Sequence, residues 1–130
     1  MEDKLLIKIA IGAREKSYSP YSGFKVGAAL YTRSGKVFTG CNIESAAYSP
    51  TVCAERVAFS KCISEGYRDI EKIAVIGSET KTTFPCGECR QFMIEFGGNI
   101  KVICAKNIDS YKIYTLDELL PCSFGPDDLI

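Results

Sequence analysis

Apolar positions in the first sixteen residues recur at helical spacing. Leu5, Ile9 and Ala13 share one face with Leu6 and Ala10 beside it, which predicts a helix over residues 3–16. Glu2 and Asp3 complement its positive N-terminal end, and Arg14 and Lys16 its other end. A Tyr/Ser/Pro/Gly loop follows over 17–23. Residues 26–32 and 36–41 read as two strands, joined by Arg33-Ser34-Gly35 into a hairpin. A polar and aromatic loop covers 42–52. A second helix covers 53–65, with Gly66 as its stop, and a buried strand covers 72–77 around Ile73-Ala74-Val75-Ile76. Pro85 opens a third helix that runs to about Phe96 and stops at Gly97-Gly98. Residues 100–105 and 112–114 predict a fourth strand and a short fifth. The link between these two is too short for a crossover helix, so they should be antiparallel. Thr115, with Glu118 three residues on, caps one helical turn to Leu120. The tail over 121–130 carries no predicted element.

Helices alternating with strands predict the α/β class: a three-layer α/β/α sandwich with a five-stranded mixed sheet, in a single domain over 1–130. Two consecutive strand-to-helix crossings set the starts of helices two and three on the same side of the sheet. The chain is 46% hydrophobic and 25% charged, the composition of a globular protein and not of a disordered one. Lys+Arg and Asp+Glu both number 16, a balance that argues against a polynucleotide-binding surface. No apolar stretch is long enough to span a bilayer. Seven cysteines would suit a secreted disulfide scaffold, but the number is odd. The N-terminus is acidic, and Lys8 interrupts the apolar run that a secretion leader needs. The expectation is a reducing, cytoplasmic setting, with thiols either metal-bound or buried as small hydrophobes; Cys41, Cys62 and Cys104 are expected in the core.

Cys53-Ala54-Glu55 and Pro85-Cys86-Gly87-Glu88-Cys89 carry the chemistry. A structural zinc has four protein ligands, whereas a catalytic zinc keeps three and leaves the fourth position to water or substrate. Here a Cys-x-x-Cys pair and one further thiol supply three, and a carboxylate stands two residues past that third thiol. Cys53 and Glu55 fall at the start of helix two, and Cys86 and Cys89 in the first turn of helix three. Residues three apart on a helix are surface neighbours, and a helix N-terminus favours thiolates over thiols. The chain has no histidine, so a metal here must be held by sulfur or carboxylate. Three thiolates on a divalent ion leave a net negative unit, which opposes deprotonation of a bound water. Arg56 and Arg90 each follow a motif residue and are candidates to draw off that charge. A Cys-x-x-Cys alone also suits half a zinc ribbon or a redox pair, but none of Cys41, Cys62, Cys104 and Cys122 forms a second such pair.

Nearly the whole chain resembles the small homotetrameric cytidine deaminases of the cytidine/deoxycytidylate deaminase superfamily. The matching runs are Tyr18-Ser19-Pro20-Tyr21-Ser22-Gly23-Phe24, Gly27-Ala28-Ala29-Leu30, Gly40-Cys41-Asn42-Ile43-Glu44, Cys53-Ala54-Glu55-Arg56, Pro85-Cys86-Gly87-Glu88-Cys89-Arg90-Gln91 and Leu120-Pro121-Cys122-Ser123-Phe124-Gly125-Pro126. The ligand motifs fix the superfamily. The Asn42-x-Glu44 pair and the Phe124-Gly125-Pro126 run narrow it to cytidine deaminase. The resemblance implies one Zn2+ per subunit on Cys53, Cys86 and Cys89, and Glu55 as the catalytic acid and base. It also implies Phe24 along the pyrimidine pocket, Asn42 and Glu44 on the ribose 3′-hydroxyl and the Ala54 backbone at the base edge. Tyr48 and Phe124 would reach in from neighbouring subunits of a homotetramer, Phe124 packing on the base. The implied reaction is hydrolysis of cytidine and deoxycytidine to uridine and deoxyuridine with release of ammonia, in pyrimidine salvage, with no nucleic-acid or membrane partner. Three alternatives stand beside it: a deaminase of the blasticidin-S type, a polynucleotide editor, and a non-catalytic zinc-stabilised binding module. The last gives Glu55 no reason to be where it is.

Overall fold

In the computed structural model, which describes residues 1–130, five strands hydrogen-bond into one sheet. They are β1 (Gly27–Thr32), β2 (Val37–Cys41), β3 (Ile70–Ile76), β4 (Lys101–Ala105) and β5 (Tyr111–Thr115), in the order β2-β1-β3-β4-β5. β3 and β4 run parallel, and the other three pairs are antiparallel, including β4 with β5 as the short link requires. The helices are α1 (Asp3–Arg14), α2 (Ala54–Ser64), α3 (Gly87–Ile94) and the single turn α4 (Leu116–Leu119).

Strand periodicity divides the sheet cleanly between two cores. Ala29, Ala74, Ile76, Ile103 and Ala105 face Leu6, Ile7 and Ala10 of α1. Their sequence neighbours Ala28, Leu30, Ile73, Val75, Val102 and Cys104 face the opposite way, onto Ala58, Phe59 and Cys62 of α2 and Cys89 and Met93 of α3. The result is three layers. Each large side chain fully buried here, such as Phe59 or Ile73, contributes about 1.5–3 kcal/mol relative to exposure. Two glycines set how closely the outer layers lie. A Cβ on Gly27 would stand 2.0 Å from the Ala10 carbonyl oxygen, and one on Gly40 would stand 2.3 Å from the Ala54 carbonyl oxygen. α1 and α2 therefore rest directly on hairpin backbone, from opposite faces.

β2, β3 and β4 all point the same way, because β2 and β3 are each antiparallel to β1. α2 joins β2 to β3 and α3 joins β3 to β4, both on one face. Both helices consequently begin at the same end of the sheet.

The element ends differ from the sequence reading in physically explicable ways. Cys53 and Cys86 keep extended backbone (ψ 156° and 167°) and are N-caps, so α2 starts at Ala54 and α3 at Gly87 instead of Pro85. α1 ends at Arg14, two residues short of Lys16. β3 starts at Ile70, because a register shift between Tyr31 and Thr32 lets the pairing continue past Lys72. The tail, expected to be irregular, holds a short 3-10 turn at Pro126–Asp128. Thr115 and Glu118 form the expected capping box.

Candidate active site

The two helix starts bring three sulfurs together. The Sγ atoms of Cys53, Cys86 and Cys89 all lie within 4.8 Å of one another, with Cys53 and Cys86 3.8 Å apart. A tetrahedral zinc with bonds of about 2.3 Å needs its sulfurs about 3.8 Å apart, so this donor set fits one such ion with its fourth position free. Cys86 Sγ also accepts the Cys89 N–H, so the thiol that would bind the metal caps the helix that presents it. Hydrogen bonds from the Cys89 thiol and then from Arg56 hold Cys53 down to about 5 against its burial. Cys89, the donor in that contact, is pushed up by it.

Glu55 stands in the first turn of α2 and is only 4% exposed. Burial pushes its carboxyl up to about 7, and the neighbouring Cys53 charge adds to the rise. A group poised there exchanges protons readily at neutral pH. It lines a cavity of about 270 Å3 together with Cys53, Ala54, Cys86, Phe24, Asn42 and Glu44. Four of the six expected substrate contacts thus share one cavity with the metal ligands and the carboxyl. Cys89 lies behind it, fully buried. Tyr48 lines an adjoining hollow of about 400 Å3, joined to the first through Ser22, Glu44 and Thr51. Phe124 lines neither and is 58% exposed.

The polar contacts are already organised. Asn42 Oδ1 accepts the Val26 N–H and the Ser17 hydroxyl, while its Nδ2 donates to the Phe24 carbonyl, leaving one amide hydrogen for a ligand. Glu44 accepts the backbone N–H groups of Tyr21 and Ser22 at 3.0 and 3.1 Å and the Ser22 hydroxyl. Those bonds, the Ser22 hydroxyl first, hold its carboxyl below the usual range. Ser22 stands in the sequence in a loop and in one of the matching runs, and nothing there marks it as the partner of Glu44. Phe84 in the cavity wall was equally unmarked.

The two arginines part company. Arg56 Nη2 donates to Cys53 Sγ at 3.7 Å and to the Thr51 carbonyl, and pairs with Glu88 at 3.3 Å. Arg90 instead donates to the carbonyls of Pro85 and Leu119, at 2.8 and 2.9 Å, so of the two candidates only Arg56 bonds a thiol sulfur. Among the other cysteines, Cys62 and Cys104 are core as expected. Cys41 is only partly buried and donates to the Lys16 carbonyl.

Comparison with known proteins agrees with this geometry. Residues 1–106 match the family model for the cytidine and deoxycytidylate deaminase zinc-binding region. A cytidine deaminase of Halalkalibacterium halodurans is 45% identical over 99% of this chain and 98% of its own. A probable cytidine deaminase of Dictyostelium discoideum is 44% identical over 95% of this chain and 84% of its own. The crystal structure of cytidine deaminase from Burkholderia pseudomallei superposes with a TM-score of 0.91 at 45% identity, covering 95% of this chain and all (100%) of that one. With three convergent thiols, a buried carboxyl beside them and relatives that match it nearly end to end, the chain belongs to the cytidine and deoxycytidylate deaminase family.

Proposed function

We propose that the protein hydrolyses cytidine and deoxycytidine to uridine and deoxyuridine, releasing ammonia, and serves pyrimidine salvage in the cytoplasm. The observation that carries the reading is the buried Glu55 carboxyl beside the Cys53, Cys86 and Cys89 sulfurs in a nucleoside-sized cavity. Zinc on these thiols supplies a Lewis acid that brings the pKa of a coordinated water towards neutrality. Glu55 takes a proton from the attacking water and delivers it to N3 of the cytosine ring, which makes C4 electrophilic. Once C4 has gained the hydroxyl, Glu55 moves that hydroxyl's proton to the exocyclic nitrogen, and the C4–N bond breaks to release ammonia as C4 becomes a carbonyl. Asn42 and Glu44 hold the ribose 3′-hydroxyl, Phe24 flanks the ring, and the Ala54 backbone meets the base edge. Arg56 takes up charge from the thiolates.

The cavity and the adjoining hollow are lined by the carboxylates of Glu44 and Glu55 and by no lysine or arginine. A 5′-phosphate would meet repulsion there, so a neutral nucleoside fits better than a nucleotide. No helix is long and apolar enough to cross a membrane, and all seven cysteines are free, in keeping with a reducing compartment. Tyr48 lines only the adjoining hollow and Phe124 neither of the two, which favours a homotetramer that shares its sites.

Purified protein is expected to consume cytidine, read as loss of cytosine absorbance with stoichiometric ammonia. Glu55→Gln should lower turnover by about 10²–10⁴-fold with one zinc per chain retained. Near-normal turnover in that variant would remove Glu55 from the chemistry. A zinc-loaded wild type inert on both nucleosides would remove the substrate assignment.

A further inference from the structure

Arg90 and Gln91 directly follow the metal-binding turn of α3, and each grips the C-terminal segment by a main-chain carbonyl. Gln91 Nε2 donates to the Phe124 carbonyl at 2.8 Å, and Arg90 Nη1 donates to the Leu119 carbonyl at 2.9 Å. Arg90 Nε also donates to the carbonyl of Pro85, the residue before Cys86. The two gripped carbonyls bracket residues 120–123, which carry no helix or strand and include Cys122 at φ 54°, a left-handed conformation uncommon for cysteine. The Phe124 ring itself is mostly exposed. Within its own chain, the ring's direction is therefore set mainly by how its backbone is fastened.

We propose that Arg90 and Gln91 are positioning residues for Phe124: they fasten the tail to the helix that carries Cys86 and Cys89, so that the metal-binding element also sets where the aromatic ring is presented. This rests on the reading that Phe124 packs on the substrate base, and it gives Arg90 a role other than balancing thiolate charge. Gln91 acts through the tail and touches neither metal nor substrate. Its effect belongs in KM with kcat kept, because the ring binds the base alike before and during reaction.

Gln91 is exposed on a helix that alanine favours, so its variants should fold. Gln91→Ala is expected to raise KM for cytidine about 3- to 10-fold, the worth of one hydrogen bond, with kcat and zinc content at wild-type values. Gln91→Glu has the same shape but, ionised, no donor, and should match Gln91→Ala. Phe124→Ala should raise KM by itself, and adding Gln91→Ala to it should raise KM no further. The proposal falls if Gln91→Ala keeps the wild-type KM while Phe124→Ala does not. It falls equally if Gln91→Ala raises KM by the same factor in both backgrounds, or if zinc is lost in step with activity. A wild-type KM in Phe124→Ala would instead overturn the base-packing role of Phe124 itself, and this inference with it.

Discussion

Arg56 turns one nitrogen, Nη2, towards three acceptors: the Cys53 sulfur, the Thr51 carbonyl and the Glu88 carboxylate. Its Nε is buried with no partner, so the group is not held by an ideal set of hydrogen bonds. Attraction to the negative sulfur cluster compensates for that. Arg56→Gln keeps an amide donor but removes the charge. Steady-state kinetics should show turnover lowered about 10- to 100-fold with zinc stoichiometry kept, the usual cost of a lost partner behind a metal ligand. Unchanged turnover and unchanged zinc affinity would show that the thiolates need no such partner. At this scale the sequence was legible wherever spacing alone decides proximity. Cys86 and Cys89 are three apart, and Glu55 sits two past Cys53 on one helix turn. It named Arg90 beside Arg56 as a partner for the thiolates, but one step along a helix turns the side chain by about 100°. Adjacency to Cys89 therefore carried Arg90 away from the sulfurs and towards the Leu119 carbonyl.

The elements that carry the site are aimed by backbone contacts as much as by side chains. Gly40 lets α2 lie against β2, and the atoms a Cβ would strike belong to Ala54 and Ala58, in the turns that carry Glu55. Gly27 does the same for α1 on the other face, against Ala10 and Arg14. Alanine at either position overpacks against main chain, which cannot swing aside, and should cost about 1–3 kcal/mol or more of stability. The two should differ in function. Gly40→Ala pushes the start of α2 off the sheet and out of register with α3, and should lower zinc retention under chelator challenge and turnover together. Gly27→Ala should lower the thermal midpoint while its folded fraction keeps wild-type turnover. Equal turnover losses in both would mean that general destabilisation, and not the placing of α2, governs the site. The order and type of these elements followed from periodicity. Their ends did not, because an N-cap is defined by its own extended backbone. The hydrophobic pattern does not report whether Cys53 or Cys86 is the last extended residue or the first helical one.

On the scale of the whole molecule, the exposed aromatic groups pose the sharpest question. Tyr21 and Tyr48 meet edge to face, with centroids 6.2 Å apart at the rim of the hollow, and Tyr48 holds a left-handed φ of 62° to do so. Phe124 projects elsewhere. No compositional argument reads an oligomer from the sequence, since scattered surface aromatics are compatible with a monomer. Each would gain a purpose if a neighbouring chain's cavity received it. A closed tetramer would elute at four times the 14.3 kDa chain mass, but size alone does not show that sites are shared. Mixing does. Glu55→Gln chains lack the proposed proton carrier and keep Phe124, whereas Phe124→Ala chains lack the ring and keep Glu55. If Phe124 serves its own chain, no site in a co-expressed mixture holds both groups, and activity at low cytidine stays at the average of the two parents. If it serves a neighbour, random assembly leaves about one site in four with an intact Glu55 from one chain and an intact Phe124 from the next. Activity at low cytidine should then rise well above that average, with a component at the wild-type KM. The same mixture made with wild type in place of either variant fixes the scale, so an absence of recovery would assign Phe124 to its own subunit.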